Sequence, residues 1–431
     1  MAAVTESDLE LATLQWFAEL DYEVLPPENF DPDSEYEERS QLSDAILPGR
    51  LTAAIRRLNP DLDEDAVHEV LRLVMRREKP TLALENESFH RLLTDGVELD
   101  IAGSDGRVTG ERAVLLDFAN PDNNDWMVTR QLTVVDKQGG TGRARRLDVV
   151  VYVNGLPLAV FELKSPTDPQ ADIGKAIQQL RNYREDVPSL LVPNVVLVAS
   201  DDVEARVGSI TADASRYALW RTIEGEHDAP KNAQPLEVLV RGVFDKARFL
   251  DFIQSFVTFE HKGGPTGTEV QKKVASYHQF HAVRRAVEET ARASGKGGNR
   301  RVGVVWHTQG SGKSLTMVFY ARKLILDPRM ENPTIVVLTD RNDLDDQLFG
   351  TFAMAERLLR QSPVQAESRA HLRDLLRTAS GGVYFTTIQK FAPVDSEEAE
   401  LLSNRRNIIV IADEAHRSQY GFEAKFNRKT G

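Results

Sequence analysis

The chain has 431 residues, 41% hydrophobic and 28% charged, enough for two substantial domains with buried cores. It holds no cysteine, which excludes disulfides and Cys-ligated zinc and fits a reducing, cytoplasmic setting. No apolar run approaches the roughly 20 residues of a membrane span, and Met1–Glu10 has neither a basic nor an apolar signal region. The net charge of −13 is local: the first hundred residues carry 24 acidic and 9 basic side chains, and the rest is near neutral.

In chain order, Leu9–Leu20 reads as an amphipathic helix bearing Glu10, which is expected on its solvent side. The stretch Glu28–Glu38, with Asp31, Asp33, Glu35, Glu37 and Glu38, reads as a solvated acidic loop. Leu147–Val153 is β-rich, Asn154-Gly155 is a strong turn signal, and Leu158–Lys164 is a second strand. Asp148 on the first strand and Glu162-x-Lys164 on the second form the pattern of metal-dependent nucleases. Asp148 and Glu162 would offer hard carboxylate oxygens to Mg²⁺, and Lys164 would position and help deprotonate a water for attack on a phosphate.

Parity constrains this hairpin, because strand side chains alternate between faces. A two-residue Asn154-Gly155 turn in regular register pairs Val153 with Leu156 and puts Asp148 opposite Phe161, away from Glu162. A three-residue Val153-Asn154-Gly155 loop, with Gly155 in a G1 bulge, pairs Tyr152 with Leu156 and returns Asp148 to the face of Glu162. A bulge or three-residue loop is therefore expected. Arg143, Arg145 and Arg146, beside Asp148, are either a narrow basic track for DNA or a solvated strand end.

Lys175–Arg184 reads as a helix with Gln179 and Tyr183 at i, i+4 on one face, placed to contact DNA phosphate or to help position the metal site. Lys262–Gly267 reads as a linker, so domain boundaries are expected at 1–260, 261–270 and 271–431. Beyond it, Tyr277–Val283 is a helix carrying Gln279.

Val302–Val305 is expected as a buried strand feeding Thr308-Gln309-Gly310-Ser311-Gly312-Lys313-Ser314. This is the layout of a phosphate-cradling loop: backbone N–H groups wrap the β-phosphate, Lys313 reaches the β/γ oxygens and Ser314 holds Mg²⁺ at a helix N-terminus. The full pattern wants Gly at position 307, which is His307. Pro333–Arg341 and Gly382–Lys390 are further strands whose polar ends, Thr339, Arg341, Thr386, Thr387 and Gln389, would face nucleotide on one side or a nucleic-acid track on the other. Asn407–Ala412 is an apolar strand ending in Asp413-Glu414-Ala415-His416; Asp413 would bind the Mg²⁺ of Mg-ATP and Glu414 would polarise the attacking water. Helices over 315–326, 343–360 and 370–378 alternate with these strands, which implies a doubly wound α/β domain.

The order of nuclease hairpin, Gln-x-x-x-Tyr helix, Tyr-His-Gln, His-Thr-Gln-Gly-Ser-Gly-Lys-Ser, Thr-Asp-Arg-Asn-Asp-Leu, Thr-Thr-Ile-Gln-Lys-Phe and Asp-Glu-Ala-His-Arg-Ser-Gln-Tyr resembles the restriction (R, HsdR) subunit of type I restriction-modification enzymes across essentially the whole chain. His307 matches that family. The resemblance implies an α/β chain with a restriction-endonuclease-like PD-(D/E)xK nuclease domain followed by a RecA-like P-loop lobe of the superfamily 2 helicase type. It implies an ATP-driven translocase of double-stranded DNA that cuts far from its recognition site, docked on methyltransferase (M) and specificity (S) subunits. It also implies that Gln279 reads the adenine edge, and it brings in Glu10, since nucleases of this fold sometimes lend a helix carboxylate to the metal. The sequence ends fifteen residues after His416, before a second lobe; as it stands the chain is expected to bind nucleotide weakly, without efficient turnover or translocation.

Overall fold

The computed structural model describes residues 5–413 apart from 35–37, 103–107, 137–139, 166–171, 202, 263–266, 268, 340–341 and 392–400. It forms two compact units, Met1–His278 and Gln279–Gly431.

The first unit is built on a seven-stranded sheet of order β1-β4-β5-β6-β7-β8-β9. Its strands are β1 (Glu23–Leu25), β4 (Trp126–Val135), β5 (Ala144–Val153), β6 (Leu156–Leu163), β7 (Val196–Ser200), β8 (Ala205–Gly208) and β9 (Ala218–Leu219), and a separate hairpin pairs β2 (Val97–Ala102) with β3 (Val108–Ala113). The β1–β4 and β6–β7 pairs are parallel and the others antiparallel. Every residue of β6 is buried, as a strand covered on both faces requires.

One cover is α1 (Glu6–Ala18), started by a Thr5 capping box with Asp8. Its Phe17 meets Phe161 of β6 and Phe244 edge-on at 5.8 and 5.3 Å. Between this helix and the body of the sheet lie α2 (Pro48–Leu58), α3 (Glu64–Met75) and α4 (Leu82–Asp95) in sequence. The opposite cover is α5 (Ile173–Asp186), capped by Asp172, and α6 (Pro188–Leu191). Ala176, Leu180, Tyr183 and Leu190 there share a core with Leu132, Leu147, Val150 and Val160. The helices α7 (Pro235–Val243) and α8 (Lys246–Ser255) complete the unit with the hairpin β10 (Val257–Lys262) and β11 (Glu269–Val274).

Two expectations are corrected here. The glycine-rich stretch 261–270 is not an interdomain linker: it includes ends of both strands of the β10–β11 hairpin, which Lys272 ties to the first unit through Thr211 and Asn194. The boundary falls instead in the first turn of α9 (Tyr277–Ser294). The acidic stretch is not wholly solvated either, since Arg50 grips Glu38 in two bonds of 2.8 and 2.7 Å and also reaches Glu23 and Asp125. A planar guanidinium satisfied by three carboxylates binds acidic segments that composition alone assigns to solvent.

The second unit holds a parallel sheet of order β13-β14-β12-β15: β12 (Thr334–Thr339), β13 (Val364–Gln365), β14 (Val383–Thr387) and β15 (Ile408–Ala412). The helices α10 (Lys313–Leu326), α11 (Asn342–Met354), α12 (Glu356–Leu359) and α13 (Arg369–Leu376) alternate with these strands, and the strand–helix order is the one expected. The expected strand Val302–Val305 does not form. Residues 301–308 have no ladder, and Val304 and Trp306 are 90% and 93% exposed. An apolar run becomes a strand only where a neighbouring edge receives it, and this run pairs with none among the described residues.

Candidate active site

The hairpin turn is the two-residue Asn154-Gly155, with φ of 52° and 76° and Val153 paired with Leu156. Gly155 is demanded twice, by its left-handed backbone and because a Cβ there would lie 2.7 Å from the Leu47 carbonyl oxygen. The expected bulge exists, but in β6 rather than at Gly155. Tyr152 pairs with Pro157 and Val151 with Ala159, so Leu158 is the extra residue and Val149 comes to face Phe161. The three-residue loop is corrected to a two-residue turn plus a bulge; either insertion makes the one-residue shift that brings Asp148 to Glu162.

Asp148 and Glu162 are both buried. The Leu163 N–H donates to Asp148 Oδ2 at 2.7 Å, so the carboxylate takes the place of a ladder carbonyl where the β5–β6 pairing ends. Lys164 Nζ donates to Glu162 Oε1 at 2.5 Å, and Tyr183 Oη to Glu162 Oε2 at 2.7 Å. Gln179 Nε2 donates to Tyr183 Oη at 3.4 Å. Tyr183 is buried and donates to the Glu162 carboxylate, while Gln179 is half-buried. Arg145 is likewise removed from a free basic track by its ion pair with Asp186.

Glu10 is the largest departure from expectation. It is buried, not surface-exposed, and Glu6, Glu10 and Asp148 offer carboxylate oxygens within 4.8 Å of one another. Arg130 Nη1 donates to Glu10 Oε2 at 3.1 Å and Gln131 Nε2 to Glu10 Oε1 at 2.5 Å. In the sequence the only signals were the i, i+4 pair Glu6/Glu10 and the polar Arg130-Gln131 step inside an apolar strand.

Burial pushes the Asp148 carboxyl up to about 8, and the nearby Glu162 charge adds to this. Burial raises Glu162 and Glu10 as well, against the pull of Lys164 and Arg130 respectively. For Lys164 burial works against the charge, yet Glu162 and Asp148 outweigh it and its pKa is raised. Both carboxylates thus favour the charged form of Lys164, which donates to Glu162. Buried carboxylates that repel one another, with one lysine between them, suit a hard divalent cation.

In the second unit α10 starts at Lys313, with Gly310 and Gly312 in the left-handed region at φ of 82° and 80°. Buried Gln279 donates its Nε2 to the Gly312 carbonyl at 3.1 Å, so this glutamine packs directly on the loop. Thr308, Gln309 and Gly310 are exposed, and Ser311 and Ser314 are half-buried. Asp413 follows the end of β15 and its N–H donates to the Leu338 carbonyl. Glu414, His416 and Arg341 lie outside the described residues. Thr339, Thr386 and Thr387 do lie at the carboxyl ends of β12 and β14, but all three are buried. As a correction, only Gln389 of the described candidates there is open to a nucleic-acid track.

Residues 3–216 match the family described as Type I restriction enzyme R protein N terminus, and residues 278–430 match the SWI2/SNF2 ATPase family. The chain is 41% identical over 429 residues to the type I restriction enzyme HindI endonuclease subunit of Haemophilus influenzae, covering 98% of this chain and 40% of that protein. It is 35% identical over 445 residues to the putative type I restriction enzyme MjaIXP endonuclease subunit of Methanocaldococcus jannaschii, covering 98% and 41%. It is also 26% identical over 310 residues to the SsaAORF53P endonuclease subunit of Staphylococcus saprophyticus, covering 71% and 30%. The chain spans about two fifths of the length of the first two relatives. The chain therefore belongs to the type I restriction enzyme R proteins, whose N-terminal family residues 3–216 match, and its residues 278–430 are similar to the SWI2/SNF2 ATPases.

Proposed function

We propose that this chain supplies the Mg²⁺-dependent double-stranded DNA nuclease, of PD-(D/E)xK type, and the ATP-binding lobe of a type I restriction endonuclease, working with methyltransferase and specificity subunits. The observation that carries this reading is the buried Asp148–Glu162 pair with Lys164 on one Glu162 oxygen and Tyr183 on the other. A surface charge pair has no reason to be buried, mutually repelling and oriented by a tyrosine.

Asp148 and Glu162, with Glu10 beside Asp148, would hold the metal. When bound, Mg²⁺ would supply Lewis acidity at the phosphate and acidify a water. Tyr183 keeps Glu162 in one orientation: burial and then the Glu162 charge raise its pKa, so its proton stays available to donate. Lys164, charged, donates to a phosphate oxygen as negative charge builds on it. In the ATPase lobe, the loop 308–314 would cradle ATP phosphates, with Lys313 on the β/γ oxygens and Ser314 and Asp413 towards Mg²⁺.

Nicking of supercoiled plasmid by the chain assembled with its M and S subunits tests the nuclease half. Mg²⁺-dependent nicking that disappears in Lys164→Ala supports it; nicking unaffected by that change would leave a silent ATP-binding interaction module, or a motor with a vestigial nuclease fold.

A further inference from the structure

Gln131 occupies an irregular position in β4. The ladder with β5 runs to Arg130 opposite Val149 and resumes with Leu132 opposite Leu147, passing over Gln131 and, across from it, Asp148. Gln131 has a φ of 53°, a left-handed backbone that a non-glycine residue adopts only at an energetic cost.

The core shows what this kink does. Met127 on one side of it and Leu132 and Val134 on the other all belong to the same core cluster, as do Val150 and Tyr152 with Leu147 on β5. In a regular strand, residues an odd number apart point to opposite faces. Side-chain parity is therefore reset in both strands at Gln131 and Asp148, while their pairing register is kept.

A second consequence falls on Glu10. Consecutive residues of a regular strand cannot reach the same group, yet Arg130 and Gln131 bind the two oxygens of one carboxylate, at 3.1 and 2.5 Å. The left-handed residue is what lets them do so. That carboxylate lies beside Asp148.

We propose that Gln131 is a positioning residue of the metal site: its backbone kink sets Asp148 free from the β4–β5 ladder, and its carboxamide, with Arg130, holds Glu10 as a metal ligand next to it. This rests on the nuclease reading. The strain at position 131 is retained because an unkinked strand would lose the two-sided grip on Glu10.

The test is Mn²⁺ binding to the 431-residue chain by calorimetry at pH 8, with Tm measured in parallel, for the unmodified protein, Asp148→Asn, Glu10→Gln, Gln131→Gly and the double variant Glu10→Gln/Gln131→Gly. Glycine accepts the left-handed backbone, so Gln131→Gly keeps the kink while removing the amide, and its Tm is expected to equal or exceed that of the parent. Its Mn²⁺ affinity is expected to fall roughly 10–100-fold, as on loss of an outer-shell partner. Glu10→Gln is expected to weaken binding as well, and adding Gln131→Gly to it to change nothing further. Gln131→Gly binding Mn²⁺ as the parent does, losing affinity only together with a fall in Tm, or adding its full effect to Glu10→Gln would overturn the inference while leaving the nuclease reading intact. Asp148→Asn binding as tightly as the parent would overturn both.

Discussion

The proposed nuclease site and the proposed phosphate loop are built in opposite ways. Asp148, Glu162 and Tyr183 are buried and held by a backbone N–H, a lysine and a neighbouring helix before any ligand arrives. Residues 308–310 of that loop are exposed, and Gln279 donates to the Gly312 carbonyl. The difference matches what each is proposed to bind. A hard cation needs charged oxygens gathered in advance against their own repulsion, which only a packed scaffold can hold. A polyphosphate brings its own charge and is met by backbone N–H groups at a helix start, which need left-handed glycines more than burial.

The comparison breaks most visibly if the two sites fail together. Asp148→Asn should lower nicking at least about 1,000-fold while leaving ATP binding unchanged, as read by plasmid cleavage alongside fluorescent-nucleotide titration. Lys313→Ala should do the converse, weakening ATP binding by roughly 2 kcal/mol through loss of a charged phosphate contact, with Mn²⁺ binding to the first unit intact. A loss of metal binding in Lys313→Ala would contradict two independently organised sites.

Smaller effects sharpen the account of the buried carboxylates. Tyr183→Phe removes only the donor to Glu162 Oε2, so metal affinity should drop about 10-fold with little change in DNA affinity, measured by calorimetry and by anisotropy. A fall in DNA affinity alone would return Tyr183 to a DNA-contacting role.

The smallest effect is on stability. Because the folded Asp148 carboxyl is raised, its proton favours the fold fully below the ordinary value of 3.8, and that advantage is lost as pH rises through about 8. In metal-free buffer Asp148→Asn should therefore overtake the parent in Tm between pH 5 and 9, by about 2–4 °C at the alkaline end. Adding Mn²⁺ at pH 8.5 should reverse that order, since only the parent binds it. A difference that did not vary with pH would mean the carboxyl is not strained by burial.

Much of this was legible because the chemistry is local in sequence. Asp148, Glu162-x-Lys164 and Gln179-x-x-x-Tyr183 lie within 36 residues, and the parity of a hairpin demanded an insertion. Its position was not legible: Asn154 and Gly155 suit both a two-residue turn and a G1 bulge, and Leu158 carries no mark of the extra residue it becomes. The burial of Glu10 was not legible, because it depends on Arg130 and Gln131, more than a hundred residues away. The run Val302–Val305 was misread for the converse reason: its apolar character is local, whereas strand formation needs an edge elsewhere to accept it. Where composition alone reads a linker at 261–270, the ends of both strands of the β10–β11 hairpin lie.

Anomalous diffraction from crystals of the chain soaked in Mn²⁺ would locate the metal itself. A peak bounded by the Asp148 and Glu162 carboxylates with Glu10 alongside is expected, absent in Asp148→Asn crystals treated identically. Mn²⁺ found at Ser314 and Asp413 with nothing at Asp148 would contradict a metal-dependent nuclease in the first unit.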